Sequence, residues 1–564
     1  MTDAPGSAST PPAGPVLAAD GTPLKKSLQR ALRAQKLRAL ALVAPLLIFV
    51  LMSFLFPIGD MLFRSVENQI VPNTMPQTVR ELRGWEGAGD ELPPESTFDA
   101  LYYDLFLAAE AKQHTRLGTR LNYEKPGLSS LFRSTGRSLD DVGEQYQDVF
   151  EELDPRWEEA GFWFELMTGG SDAEPDNTEL LAARERLEKL TSDDMSGEVG
   201  FVPGAAISQV LPRTVREYAA FALFTAIEDE DVVAEEEPWE AVYLALGQDM
   251  QDPTLAPGIS AYAGPGSDAL AAALENVDSL PRVEMSATFA EIDSDWSSAA
   301  NWETINLYSG NYTNGYLLNA VDMKKTVDGP ELKPESQRIY LKLFWRTMLM
   351  SLAITFLCFL LGYPIAYLLA ILPLRSSNLI MILVLLPFWT SLLVRTASWK
   401  ILLQQQGVIN DLLVWIGVIS DAGRLVMINN ATGTIIAMTH ILLPFMILPL
   451  YSVMKTIPPS YMRAAKSLGA TDWTAFWRVY FPQTIPGVGA GAILVFILAI
   501  GYYITPELVG GTSGIFISNR IAYHISSSLN WGLAAALATM LLIVVLALYW
   551  TYDKIVGIDN VKLG

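Results

Sequence analysis

The sequence predicts an α-helical membrane protein: six transmembrane helices and, between the first two, a large, mostly helical domain outside the membrane. Three observations carry that reading. Charge is split between two parts of the chain. Several long apolar segments are nearly free of charge. Basic residues gather at particular ends of those segments.

The 564 residues carry a net charge of -22. Residues 63–340 hold 20 Lys/Arg and 52 Asp/Glu, a net of -32, and the remainder holds 19 and 9, a net of +10. An oily, basic part is thus joined to an acidic, soluble one. Hydrophobic residues make up 51% and charged residues 18%, a low charged share for a soluble chain. The acidic balance weighs against nucleic acid as a partner. The single cysteine, Cys358, excludes an intrachain disulfide framework and a multi-cysteine metal site.

The segment WGLAAALATMLLIVVLALYW (531–550) has no charge and aromatics at both ends. At 1.5 Å per residue it rises about 30 Å, one hydrocarbon thickness. Five further spans are placed near 39–62, 347–371, 379–396, 432–454 and 487–506. Pro45, Pro364, Pro387, Pro444 and Pro449 lie in or near them, as expected of kinked helices packed in a bundle. The first apolar stretch lacks a small-x-small cleavage site and is read as retained rather than as a signal peptide.

Residues 1–23 are read as a disordered tail. Residues 24–38 are either an interfacial amphipathic helix leading into the first span or a plain basic flank. The six basic residues before position 39 place the N-terminus in the cytoplasm. Counting spans then puts 63–340 in the periplasm, 455–485 in the cytoplasm and the C-terminus inside. The cytoplasmic assignment of 455–485 agrees with Lys455, Arg463, Lys466 and Arg478. Arg395, Lys400 and Arg424 run against the rule.

The acidic block is long enough to bury its own core. LAARERLEKL (181–190) has charges at i,i+4, PRTVREYAAFALFTAI (212–227) opens with proline in a first turn, and SDALAAALENV (267–277) begins with a Ser/Asp cap pattern. GYLLNAVDM (315–323) reads as strand or helix. The acidic runs 154–165 and 228–240 lack a DxDxDG calcium loop and read as solvated, repulsive surface. His114 has no neighbouring histidine, and no metal ligand set, paired catalytic carboxylates or nucleophile elbow is found.

The most informative stretch is 457–491, between the fourth and fifth spans. Pro458-Pro459 ends the fourth helix. Ser460 is positioned to cap a short helix, 461–468, and Gly469 to turn the chain. Thr471 is positioned to cap a second short helix presenting Trp473, Phe476, Trp477 and Tyr480. Pro482, Pro486 and Gly487 redirect the chain into the fifth span. The result is a rigid helix–turn–helix knob suited to a groove on a soluble partner.

This loop resembles the EAA signature of binding-protein-dependent ABC importer permeases, which read EAA, three residues, GA, then a proline and a PG pair. Ala464, Ala465, Gly469, Ala470, Pro482, Pro486 and Gly487 fall on it in order. LLGYPIAYLLA (360–370), LLPFWTSLLVRTASW (385–399), GVIN (407–410) and LLPFMILPLYSVM (442–454) resemble the spermidine/putrescine type of permease. The likeness covers the first span and residues 340–555, and 63–340 departs from it. Arg463 stands where the family has glutamate. With Ser460 as the cap, a glutamate there would close a capping box, which arginine cannot do.

The resemblance implies the MetI-like fold of a type I ABC importer permease in the cell inner membrane, a transport subunit and not an enzyme. It implies a periplasmic solute-binding protein, a second permease chain of different sequence, and two ATP-binding subunits beneath. This chain has no GxxxxGK[ST] motif, so ATP and Mg belong to the separate ATPase and no cofactor is assigned here. The docking residues implied are Ser460, Arg463, Ala464, Ala465, Gly469, Ala470, Trp473 and Phe476. Pathway candidates are Tyr363, Trp389, His440, Tyr502 and Tyr503; His440 suits either a pathway lining or a helix–helix hydrogen bond. A polyamine is the leading solute, with iron, thiamine, opine or amino-acid-like compounds as alternatives. A secondary transporter would carry intramembrane carboxylates, and Asp60 and Glu507 lie only at span ends. A membrane-anchored sensor would need no knob.

Overall fold

The computed structural model describes residues 24–85, 87, 90–171 and 173–556. The proposed tail, 1–23, lies outside them. The chain divides into two compact units, 1–63 and 64–564.

In the first unit a helix runs from Leu24 to Val50, widens into a π turn at Leu51–Leu55 and continues. The proline at 57 follows that turn by two residues. A helical proline lacks an N–H and its ring crowds the carbonyl four residues back. Here that carbonyl belongs to Ser53, inside the π turn, where the wider ring makes room.

The second unit contains four long apolar helices: Tyr340–Ile371, Ala431–Thr456, Asp472–Gly501 and Trp531–Tyr552. With the first unit's helix, five helices among the described residues are long and apolar enough to cross a membrane, or six if one bent pair counts as a span. That pair corrects the expected straight span at 379–396. Leu374–Trp389 and Leu392–Leu402 meet at 97°. Thr390 and Ser391 are extended, and Ser391 Oγ accepts from Val394 N at 3.2 Å, starting a new helix. Arg395 therefore sits on a helical arm.

The fifth span is corrected too. It starts at Asp472, ends at Gly501 and runs straight through Pro482 and Pro486. The prolines do not redirect the chain. A π turn at Phe476–Tyr480 precedes Pro482 as the first precedes the proline at 57, and Phe481 N bonds back to Phe476 O. The second helix of the knob is thus the start of a 30-residue run. The bundle closes around Ile354, Ala366, Met438, Leu442, Met446 and Val495. Small residues let backbones approach: a Cβ on Gly491 would stand 3.1 Å from Met446 O.

The acidic block folds as a helical array around an aromatic core, with one hairpin, Met323–Thr326 paired to Gly329–Leu332. Residues 315–323 form a helix, Gly315–Ala320, and then enter that hairpin. Helices cover 181–190 and 212–227 as expected. At 267 the cap is Gly266 in left-handed geometry rather than Ser267. The run 154–165 is not solvated surface throughout, because Trp157 and Trp163 are fully buried.

The array is built twice from one pattern. Met75-Pro-Gln-Thr-Val-Arg80-Glu returns as Leu211-Pro-Arg-Thr-Val-Arg216-Glu. The residues before each proline share one conformation, φ -126 and -129. Asp104 Oδ2 accepts from Thr78 N and Oγ1, both at 2.8 Å; Asp249 Oδ2 accepts from Thr214 N at 2.9 Å and Oγ1 at 2.8 Å. Asp154 and Asp293 each cap a short 3₁₀ turn holding a buried tryptophan, Trp157 or Trp296. Trp163 Nε1 and Trp302 Nε1 then donate to the carbonyls of Trp157 and Trp296, both at 2.9 Å. The copies interlock: Trp163 packs edge-on to Tyr243 at 5.0 Å, and Trp302 edge-on to Phe98 at 4.7 Å. Each copy's tryptophan thus completes the other copy's helix, the reciprocity of an isologous interface.

The block is seated on the bundle. Tyr316 and Ala320 pack with Tyr340, Leu343, Leu533 and Leu537. Asp322 Oδ1 accepts from Ile339 N and Tyr340 N at 3.0 Å, and Oδ2 from Leu341 N at 2.8 Å, closing the open donors of the Tyr340–Ile371 helix.

Candidate functional site

The knob begins where Ala431–Thr456 stops at Ile457 and Pro458. Its first helix is Pro459–Ser467, with proline at the first position. Pro458 is the cap and makes no side-chain bond; Ser460 lies one residue inside the helix. The expected Ser460 cap is therefore corrected, and so is the capping box, because position 463 is too deep in the helix to reach the cap.

The turn between the two helices is a complete Schellman motif. Ala470 N donates to Ala465 O at 3.1 Å and Gly469 N to Lys466 O at 3.0 Å. Gly469 takes φ +89°, which a Cβ disfavours. Thr471 Oγ1 accepts from Thr474 N at 3.3 Å and caps the second helix, as its sequence position predicts. A Lys466–Asp472 ion pair ties the helices across the turn.

The expected docking residues divide into two groups. Ser460, Arg463, Ala464, Gly469 and Trp473 are exposed. Ala465 is buried, Ala470 half-buried, and Phe476 lies against Tyr363 and Tyr367 at 6.2 and 6.0 Å. Phe476 therefore packs the knob against the Tyr340–Ile371 helix, and Ala465 is covered rather than exposed. Leu468 was missed in the sequence: it is 90% exposed just before the turn, and Trp473, just after it, is 72% exposed. Its signal was available, an apolar residue directly before the turn glycine, where nothing in the chain can cover it.

Among the described residues, no ring contact or hydrogen bond joins any two of the pathway candidates. Tyr363 OH meets Thr484 Oγ1 at 3.1 Å, near the knob. Trp389 is 79% exposed at the bend of the broken pair. His440 Nδ1 accepts from Trp399 Nε1 at 3.1 Å, the helix–helix bond weighed for it. The Trp399 partner is 41 residues away in sequence and left no local trace. The carbonyls of Tyr502 and Tyr503 accept from Ser518 Oγ at 2.6 Å and Asn519 Nδ2 at 2.8 Å, fixing the end of Asp472–Gly501.

A bundle of apolar helices with a broken pair and a rigid, outward-facing knob defines a multi-pass membrane component of a transport machine. Residues 361–556 match the family described as binding-protein-dependent transport system inner membrane component, and this chain belongs to that family. The spermidine/putrescine transport system permease protein PotB of Escherichia coli (strain K12) is 35% identical over 222 residues, 39% of this chain and 80% of that protein. PotB of Salmonella typhimurium (strain LT2) is 35% identical over 39% of this chain and 77% of its own. The inner membrane ABC transporter permease protein YdcU of Escherichia coli (strain K12) is 32% identical over 38% and 70%. A crystal structure of a bacterial ABC transporter importing alginate matches at 19% identity and TM-score 0.33, over 39% of this chain and 80% of that one, too little to argue from. The chain is thus an inner-membrane permease subunit of an ABC importer, a transport component rather than an enzyme. The family match begins beyond the acidic block.

Proposed function

We propose that this chain forms half of the solute pathway of an ATP-driven polyamine importer. A separate pair of ATPases binds the knob from the cytoplasm, a second permease chain completes the pathway, and a solute-binding protein delivers from the periplasmic side. Both termini lie in the cytoplasm and the acidic block in the periplasm. The observation that carries the docking part is the exposed Leu468–Trp473 tip on a turn fixed by the Schellman bonds. An apolar tip held rigidly in water is the form of a binding anchor. ATP-driven closure of the partners would move this knob and, through Phe476 and Tyr363, the helices it packs on.

The polyamine part rests on the likeness to PotB. An acidic periplasmic block would also raise the local concentration of a polycation, within the screening length of about 8 Å at physiological salt.

The test is reconstitution with the ATPase and binding protein encoded beside it. Spermidine or putrescine uptake is expected only with ATP. Leu468→Asp is expected to leave the chain's melting temperature nearly unchanged and to lower ATPase recovery about tenfold or more. Uptake without ATP sinks the importer reading; ATP-driven uptake of another solute alone sinks the polyamine reading.

A further inference from the structure

The two copies in the acidic block use the same Arg-Glu pair differently. In the second copy, Arg216 Nε donates to its neighbour Glu217 at 2.8 Å, and the guanidinium lies 5.6 Å from the centre of the Tyr103 ring. In the first copy Arg80 holds the register of Arg216 and Glu81 that of Glu217. Glu81, however, accepts from Ser96 Oγ at 3.0 Å. Arg80 has no acidic partner among the described residues, and neither has Arg83, the C-cap of the same helix. Both are solvent-accessible.

These two guanidinium groups line a cleft of about 720 Å³ between the Pro76–Leu82 and Thr178–Thr191 helices. Most acids near it are occupied. Glu185 pairs with Lys189, and Glu217 is shared by Arg186 and Arg216. Glu67 accepts from Gln69 Nε2, and burial pushes the Glu179 carboxyl above its ordinary range. A block with a net charge of -32 therefore turns unpaired, forked cationic donors into an open cleft. That volume lies in the range of small-molecule sites. Guanidinium forks match the paired oxygens of carboxylates and phosphates.

We propose that this cleft binds a small ligand bearing a carboxylate or phosphate group, gripped by Arg80 and Arg83. The site lies within the acidic block and does not depend on which solute the permease carries.

Titration calorimetry on the full chain in lipid nanodiscs, with succinate in one arm and inorganic phosphate in the other, tests this and separates the two chemistries. Saturable binding of one probe is expected, weakened about tenfold by Arg80→Gln and by Arg83→Gln. Arg282 lines a neighbouring cleft that Arg80 also borders but Arg83 does not, and Arg282→Gln is expected to leave the binding unchanged. Arg80 makes no internal ion pair, so its variant is expected to melt as the parent does. No saturable binding of either probe overturns the proposal. So does equal affinity in Arg80→Gln, or an equal loss in Arg282→Gln, which would report bulk charge.

Discussion

His524 shows how one residue couples the acidic block to the bundle. Its Nε2 lies 3.1 Å from Tyr340 OH, its Nδ1 lies 2.8 Å from Ser528 Oγ, and the Tyr123 ring packs edge-on at 5.5 Å. Burial first, and Arg520 second, push its pKa down to about 4. The unfolded chain takes up this proton near 6.5, so below that pH the unfolded state binds more protons than the native one. Stability from this group is intact above pH 6.5 and is lost as pH falls toward 4, by about 3 kcal/mol in all. Asp99 and Asp104, raised to about 6 mainly by burial, have the opposite slope between about 4 and 6. The comparison must therefore be with a variant. Melting temperatures of the solubilised protein are expected to fall more steeply from pH 6.5 to 4.5 in the parent than in His524→Gln. Parallel curves would show that folding leaves the histidine pKa unchanged.

At the scale of elements, the repeat makes a paired prediction. Thr78 and Thr214 serve Asp104 and Asp249 in the same way, each giving a backbone and a hydroxyl donor to one buried oxygen. Valine at either site keeps the shape and removes the hydroxyl. Thr78→Val and Thr214→Val are each expected to cost about 1–2 kcal/mol, read as similar drops in melting temperature. A large drop at one site with none at the other would show that the copies no longer share the work. The duplicated PxTVRE and the DxxW…W spacing are both present in the sequence, but the copies lie far apart, beyond the reach of a local pattern. What was legible was local: apolar length gave the spans, Thr471 its cap and Gly469 its turn. Three things were not legible. The bend at Ser391 is marked in the sequence only by Pro387 and two uncharged hydroxyl residues, all of which a kinked membrane span tolerates. Pro482 and Pro486 read as breakers because nothing local announces a π turn. Phe476 reads as exposed because its partners, Tyr363 and Tyr367, come from another helix.

For the whole molecule the question is whether the acidic block is tethered by its ends or held by a surface. Both its junction and its underside are specified. Asp322 takes up three backbone donors at the head of the Tyr340–Ile371 helix, so hairpin and span share one cap. Beneath it, Tyr316 lies against the C-terminal span where Gly532 leaves room, and any Cβ at 532 would land on the tyrosine ring. The block thus bears on two helices of the bundle, and a shift in either would carry it along. Gly532→Leu separates these possibilities, because it adds bulk at the seat without touching the block's own core. Deuterium uptake is expected to rise in peptides spanning 315–341, which hold Tyr316 and the Asp322 cap. Peptides around Trp157 and Trp163, deep in the interlocked copies, are expected to keep their protection. Faster exchange in both regions would mean that the block depends on the bundle for its fold. No change in either would mean that the seat carries little of its attachment, and that the covalent ends and the Asp322 cap suffice.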